Sequence, residues 1–221
     1  MKLAISAIIK ALLGFLIVAL LIFLPAGTVF FANGWLLVAI LFIPMVVLGI
    51  FLLVKSPELL KKRLDTNEKE ITQKCVVALS AIGFVLGFVT AGLDFRFGWS
   101  HMPTAVVAIA AVVFLLGYAT YAEVMRENAY LSRTVKVQSG QKVVSTGLYG
   151  VVRHPMYLAT LLMFLAMPLV LGSWYSLAVF MHYPVLIIVR IVNEEKLLEK
   201  ELDGYIEYKQ KVRYRLIPFV W

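Results

Sequence analysis

The chain has 221 residues, of which 62% are hydrophobic, and its mean hydropathy of +0.89 lies far above the range of soluble proteins. Its net charge of +8 does not indicate a nucleic-acid partner, because the basic residues flank apolar runs, as in membrane proteins. A single cysteine, Cys75, excludes an internal disulfide, and no His/Cys spacing indicates a metal. We therefore expect an integral membrane protein with no obligate protein partner.

Six apolar runs approach the roughly 20 residues that cross a bilayer. They lie within 3–31 and at about 35–54, 75–93, 103–125, 155–171 and 174–189. The first run is too long for a signal peptide, so we expect it to be retained. Asn33-Gly34 should form the first turn, and Gly172-Ser173 should close the last two runs into a hairpin that Pro168 and Pro184 bend. The predicted fold is an all-α polytopic membrane protein with five or six transmembrane helices, because the fifth run is short.

The positive charges predict the orientation of the chain. Every Lys and Arg except Arg96 lies at the N-terminus, in the amphipathic loop 55–74, after the fourth run or in the tail. The positive-inside rule therefore places both termini and both long loops in the cytoplasm. We expect residues 1–134 to form a transmembrane scaffold and residues 135–221 to form a catalytic and cofactor-binding region that faces the cytoplasm.

One polar stretch, residues 145–157, interrupts the apolar runs of the C-terminal half. Gly147 and Gly150 permit tight turns, and Pro155 suits the first turn of a helix that begins at 154–155. The side chains that supply donors and acceptors are Tyr149, Arg153, His154 and Tyr157. An interfacial anchor belt is the alternative for a single Tyr or Arg. The cluster as a whole favours a site.

A second polar group follows the last apolar run. Arg190 and Glu194 are four residues apart and share one helix face, so they could serve a site or form a structural ion pair. An arginine at the end of a span can hold a carboxylate through two hydrogen bonds. Glu195 points to another face, and we expect it to be solvated.

The order and spacing of these residues resemble the isoprenylcysteine carboxyl methyltransferase family. The matching elements are Gly147-x-Tyr149-x-x-x-Arg153-His154-Pro155-x-Tyr157, Arg190-Ile-Val-Asn-Glu194-Glu195, and the tail around Tyr205 and Tyr208. Members of this family are integral membrane enzymes that use S-adenosylmethionine, and they are related to phospholipid methyltransferases. The resemblance covers residues 137–221.

The resemblance implies S-adenosylmethionine as the cofactor and a set of residues around it. These are Gln138, Gln141, Lys142, Val143, Val144, Tyr149, His154, Pro155, Met156, Tyr157 and Glu194. It also implies that Arg190 holds the acceptor carboxylate, so that Arg190 and Glu194 are the catalytic residues. Gln141-Lys142 replaces the family's usual His before the valine pair, and the tail departs at Leu202-Asp-Gly-Tyr205 and Val212-Arg213. We expect the tail changes to affect packing more than the cofactor site.

The expected function is methylation of a carboxylate on a lipid-like or prenylated-cysteine-like acceptor. Methylation of a phospholipid amine is the alternative. An NADPH-dependent sterol-reductase-like activity is the alternative of another class, because sterol reductases share the ending Tyr214-Arg-Leu-Ile-Pro218. A non-enzymatic scaffold leaves the polar cluster unexplained.

Two geometric expectations follow from the methyltransferase prediction. Tyr149, His154 and Glu194 should converge on one cavity. That cavity should open to the cytoplasm and to the bilayer, with Phe164, Trp174 and Tyr183 as apolar lining residues.

Overall fold

Nine α-helices and one 3-10 turn make up the regular structure of a computed structural model that describes residues 2–65, 67–68 and 70–221. The helices are α1 Lys2–Ala26, α2 Ala32–Lys55, α3 Pro57–Leu64, α4 Ile71–Phe97, α5 Thr104–Glu127, α6 Pro155–Val170, α7 Trp174–Phe180, α8 Tyr183–Glu201 and α9 Tyr205–Lys211, and the 3-10 turn is Gly147–Gly150. Lys69, one of the basic residues of the predicted cytoplasmic loop, lies outside the described residues.

Among the described residues, five helical segments are long and apolar enough to cross a membrane, which confirms the all-α polytopic fold. They are α1, α2, α4, α5, and the stretch Trp174–Glu201, which contains α7 and α8. With only 16 residues, α6 is shorter than a full crossing. It packs against both α7 and α8, as expected for the predicted hairpin. The orientation of the termini stays a prediction.

Two details of the predicted helix boundaries were wrong. Asn33 and Gly34 lie in the first turn of α2, and the chain turns earlier, where Gly27 adopts a φ of 70° and ends α1. Pro184 does not bend a helix but stands in the first turn of α8. The interruption lies just before it, between the end of α7 at Phe180 and the start of α8 at Tyr183.

The domain boundary proposed at residue 134 stays a prediction. The two proposed parts are in extensive contact, because α6 packs along α5. This packing needs Gly117, where an added Cβ would lie 2.8 Å from the Met163 side chain and 3.2 Å from the Ala159 carbonyl oxygen. Residues 135–221 therefore rest directly on the membrane helices that precede them.

Small residues on α4 allow α1, α7 and the turn between α7 and α8 to approach it closely. Gly83 faces His182 and Gly87 faces Phe180, and an added Cβ would lie 2.1 Å from either ring. Gly92 faces α1, where an added Cβ would lie 2.5 Å from the Ile22 carbonyl oxygen. Close backbone approach at small residues is a general way to pack helices in lipid, where the hydrophobic effect does not drive helices together. Helix α4 is therefore a central support of the bundle.

A buried carboxylate ties together the ends of the helices opposite the polar stretch 145–157. Asp94 is 2% exposed and accepts hydrogen bonds from the Ser100 backbone N–H at 2.6 Å and the Ser100 hydroxyl at 2.7 Å. The Ser173 hydroxyl donates to the same carboxylate. These bonds join the α4–α5 loop to the α6–α7 turn.

The packing of α4 on α1 predicts that Gly92→Ala lowers the melting temperature of the detergent-solubilised protein. The added methyl group meets backbone atoms of α1 that no side-chain rotation can relieve, so we expect a loss of roughly 1–3 kcal/mol of stability. The matched control is Gly49→Ala in α2, where nothing lies within 4 Å of an added Cβ. An unchanged melting temperature for Gly92→Ala would contradict this account of the helix contact.

Candidate functional site

A cavity of about 440 Å³ lies between α4, α6, α8, α9 and the connection from α5 to α6. Its volume is within the range of small-molecule and cofactor sites. One part is polar, with Asn128, Arg133, Tyr149, His154, Arg190 and Glu194 among the lining residues. Another part is apolar, with Val76, Phe84, Phe164, Tyr183, Leu186 and Ile187. The cavity therefore suits a ligand, or a pair of ligands, with both polar and apolar parts.

The predicted site residues mostly meet at this cavity. Tyr149, His154 and Glu194 line it together, as predicted. So do Gln141, Lys142, Val143, Val144, Met156, Tyr157 and Arg190. Whether the cavity opens to the cytoplasm and to the bilayer stays a prediction.

Three predicted residues do not line the cavity. Gln138 braces its own loop, because its amide donates to the Tyr130 carbonyl and its backbone N–H donates to Gln141 Oε1 at 2.9 Å. Pro155 is buried as the first residue of α6. Trp174, predicted as apolar lining, is 46% exposed and its backbone N–H contacts Ser100 at the opposite ends of the helices. It begins α7, more than two helical turns before Tyr183, which does line the cavity.

Tyr149 is held in place by contacts on both sides of the 3-10 turn. Its hydroxyl accepts a hydrogen bond from Asn128 Nδ2 at 2.9 Å, and its carbonyl accepts one from the Tyr208 hydroxyl at 2.7 Å. Burial raises the pKa of Tyr149 to about 12, although the hydrogen bond from Asn128 opposes this shift. The hydroxyl therefore remains protonated at neutral pH and can donate a hydrogen bond to a ligand. Gly147 allows the turn through its φ of 52°.

A chain of hydrogen bonds links Arg190, Tyr157 and Glu194. Arg190 Nε donates to the Tyr157 hydroxyl at 2.9 Å, and this hydroxyl donates to Glu194 Oε2. Arg190 Nη2 also donates to the Arg133 carbonyl at 2.8 Å. The predicted shared face of Arg190 and Glu194 is therefore present, and a hydroxyl from α6 lies between the two side chains. This arrangement fixes the guanidinium and the carboxylate relative to each other.

The prediction that Glu195 is solvated was wrong. Glu195 is 3% exposed, and its Oε1 accepts from Arg153 Nε at 2.7 Å and lies 3.2 Å from His154 Nε2. Its Oε2 accepts from Arg215 Nε at 2.8 Å. The face of α8 that carries Glu195 is covered by the polar stretch and by the tail, so that three basic side chains replace water around the carboxylate.

Backbone contacts strengthen the attachment of the tail to the polar stretch. The N–H groups of Arg153 and His154 donate to the carbonyls of Tyr214 and Arg215, both at 2.9 Å. Arg153 Nη1 donates to the carbonyls of Val212 and Arg213, both at 2.8 Å. Arg153 is therefore engaged with protein groups and is a structural residue of the cavity wall.

Two residues at the cavity, Arg63 and Tyr205, were not predicted from the sequence as site residues. Arg63 of α3 lines it, although the sequence offered only its positive charge as a signal, which we interpreted as membrane topology. Tyr205 of α9 also lines it, and its hydroxyl is buried without a hydrogen-bond partner among the described residues. Within the same residues, no group of three His, Cys, Asp or Glu side chains could hold a metal ion.

The ion pairs of Glu195 predict a large loss of stability for Glu195→Ala. Removing the carboxylate leaves two buried basic side chains without their partner, which costs about 3–5 kcal/mol in comparable sites. Thermal unfolding of the solubilised protein measures this loss. The matched control is Glu199→Ala, one turn later on α8, which removes a partly exposed pair with Lys209 and should cost less than about 1 kcal/mol. Similar losses for the two variants would contradict the structural role of Glu195.

Comparison with known proteins supports the resemblance. Residues 105–203, slightly less than half of the chain, match the model of the phospholipid methyltransferase family. The chain is also 34% identical over 91 residues to the Delta(14)-sterol reductase TM7SF2 of Mus musculus. That match covers 40% of this chain and only 22% of the reductase.

A solved structure extends the similarity to the whole fold. The eukaryotic intramembrane Ras methyltransferase ICMT (isoprenylcysteine carboxyl methyltransferase) superposes with a TM-score of 0.52 over 98% of this chain and 85% of that chain, at 17% sequence identity. At this identity the likeness establishes the fold. The chain is thus a polytopic membrane protein whose residues 105–203 match the phospholipid methyltransferase family model and whose fold is similar to that of isoprenylcysteine carboxyl methyltransferase over nearly its whole length.

Proposed function

We propose that the protein transfers a methyl group from S-adenosylmethionine to a carboxylate on a lipid-like or prenylated-cysteine-like acceptor, at a site that faces the cytoplasm. The observation that carries this proposal is the position of the Arg190–Tyr157–Glu194 chain. On α8, the apolar lining residues Leu186 and Ile187 come one turn before Arg190. A polar cofactor and an apolar acceptor could therefore meet at these three side chains.

Several cavity residues fit a polar, partly aromatic cofactor. The buried Tyr205 hydroxyl lacks a partner among the described residues, so a ligand group could accept its hydrogen bond. Glu194 is a carboxylate that could hold an ammonium group, and Val143 and Val144 offer apolar contact. S-adenosylmethionine, when bound, supplies a methyl group that is already activated by a positively charged sulfur. The protein then needs only to position the reactants and exclude water.

Arg190 is the proposed binding residue for the acceptor carboxylate. A guanidinium is permanently charged and can form two parallel hydrogen bonds to a carboxylate. A carboxylate is a nucleophile without loss of a proton, so this reaction requires no general base. The role of Tyr157 is to orient Arg190 and Glu194, and Gln138 and Pro155 support the cavity without contacting the ligands.

Methylation of a phospholipid amine is the alternative within the same family. The family match to phospholipid methyltransferases favours it. An amine must lose a proton to react, and Glu194 is a side chain of the cavity that could accept it. The positive charge of Arg190 disfavours a protonated amine in the same place.

A sterol-reductase-like activity is the alternative of another class, and the partial match to the Delta(14)-sterol reductase favours it. Thermal unfolding with candidate cofactors separates the classes. A ligand at 100 times its dissociation constant stabilises the folded state by about 2.7 kcal/mol. We expect S-adenosylhomocysteine to raise the melting temperature and NADPH to leave it unchanged. The reverse result would reject the methyltransferase proposal.

The proposed role of Glu194 predicts weaker cofactor binding in Glu194→Gln. Loss of a charged hydrogen bond should reduce the affinity for S-adenosylhomocysteine by about 1–3 kcal/mol, measured by equilibrium binding. Glu199→Gln, on the outer part of the same helix, is the control and should bind like the wild type. An unchanged affinity in Glu194→Gln would remove Glu194 from the cofactor site.

The proposed role of Arg190 predicts a loss of methyl transfer with little loss of cofactor binding. Arg190→Lys keeps the charge and loses the paired hydrogen bonds, and Arg190→Ala loses both, so the rate should fall more in Arg190→Ala. Arg126→Ala is the control, because Arg126 pairs with Glu123 away from the cavity. The labelled product should release methanol in mild base, as methyl esters do. A product that survives alkali would favour the amine alternative.

A further inference from the structure

Three arginines around the cavity have no carboxylate in contact within the part of the chain that the structure describes. Arg63 comes from α3, Arg133 from the connection between α5 and α6, and Arg190 from α8. Among the described residues, none of the three forms an ion pair within 4.0 Å, and the carboxylates of Glu194 and Glu68 act on Arg190 only from a longer distance. In contrast, Arg153 also lines the cavity and is paired with Glu195 at 2.7 Å.

Arg63 is the most unusual of the three. Its two terminal nitrogens donate to neutral oxygens, namely the Ser132 carbonyl at 3.2 Å and the Tyr121 hydroxyl. Its guanidinium lies 5.2 Å from the centre of the Tyr121 ring. Its Nε is buried and has no hydrogen-bond partner in the part of the chain that the structure describes. A buried donor without a partner costs free energy, so a ligand that accepts from this guanidinium would be favoured.

The three positive charges act on one another. Burial lowers the pKa of Arg133, and the charges of Arg63 and Arg190 lower it further. Like charges gathered beside a partly buried cavity destabilise a protein unless an anion compensates for them. Because arginine stays protonated, a bound negative group would add to the compensation that Glu194 and Glu68 give Arg190 from a distance.

We propose that Arg63, together with Arg133, binds a carboxylate in the methyl-transfer site beside Arg190. The inference rests on the proposed function, because both reactants in that reaction carry a carboxylate. One source is the amino-acid part of the cofactor, and the other is the acceptor. Arg63 precedes residues 105–203, so this contact comes from a helix outside the matched family region.

A purely structural role for Arg63 is the competing explanation. Its neighbour Lys62 also tethers the segment after α5, because Lys62 Nζ donates to the Ala129 carbonyl at 3.1 Å. Lys62 does not line the cavity. Lys62→Gln therefore removes a similar charge and a similar tether from the same helix, and it is the matched control for Arg63→Gln.

The test measures equilibrium binding to the full-length protein in detergent, with two pairs of probes. In each pair only one member has a carboxylate. The first pair is S-adenosylhomocysteine and 5′-methylthioadenosine, which lacks the amino-acid part. The second pair is N-acetyl-S-farnesylcysteine and its methyl ester, measured with saturating S-adenosylhomocysteine. The variants are Arg63→Gln, Arg63→Lys and Lys62→Gln. If Arg63→Gln does not fold, the same measurements are made with Arg133→Gln.

We expect Arg63→Gln to weaken binding of the carboxylate member of one pair by about tenfold or more, and to leave the other member unchanged. The affected pair identifies the source of the carboxylate. Arg63→Lys should recover part of the affinity, and Lys62→Gln should behave like the wild type.

Equal losses for both members of each pair, or the same loss in Lys62→Gln, would overturn the proposal in favour of a structural tether. A wild-type protein that prefers the carboxylate member of neither pair would overturn it as well. Binding does not depend on turnover, so failure of the proposed methyl transfer can be distinguished from failure of the proposed role of Arg63. In that case no labelled methyl group is transferred, while the two members of one pair still differ in affinity for the wild-type protein.

Discussion

The site depends on the burial of one carboxylate. Glu195 on α8 contacts Arg153 and His154, about 40 residues earlier in the chain, and Arg215, 20 residues later. A buried charge is tolerated only if its partners are present, because desolvation of an unpaired carboxylate costs several kcal/mol. The polar stretch, α8 and the tail must therefore assemble together. An ionic cluster of this kind contributes little net stability compared with apolar packing, but it specifies which segments meet.

The cluster also orients the neighbouring side chains of the cavity. Glu194 precedes Glu195, and Tyr157 follows His154 by three residues at the start of α6. Contacts at Glu195 and His154 therefore fix the rotation of α8 relative to the first turn of α6. The hydroxyl of Tyr157 can then lie between Arg190 and Glu194. Deeper in the bundle, Gly83 and Gly87 allow α4 to approach the segment from Phe180 to His182, which brings the apolar wall close to the polar side chains.

Most local features of this protein could be predicted from its sequence, and so could the meeting of Tyr149, His154 and Glu194 at one cavity, but the contacts of Glu195 and Arg63 could not. Apolar runs predicted the spans, Pro155 predicted the start of α6, and the helical period predicted the shared face of Arg190 and Glu194. The same period places Glu195 on a different face but does not tell what covers that face. Arg63 was missed because its partners Tyr121 and Ser132 are 58 and 69 residues away. The positive-inside rule already explained the charge of Arg63, so the sequence offered no further reason to assign it to a site.

In the proposed reaction, the arginines at the cavity distinguish the charged acceptor from its neutral product. A carboxylate acceptor brings the negative charge that these guanidiniums lack, so binding and charge compensation occur together. Methylation converts the carboxylate into a neutral ester, and the attraction that held the acceptor is then lost. The same positive charge that selects the substrate thus favours release of the product. An amine acceptor would meet the opposite conditions, because it is repelled when protonated. In the proposed reaction, the charge of the cavity would therefore account for both acceptor selection and product release.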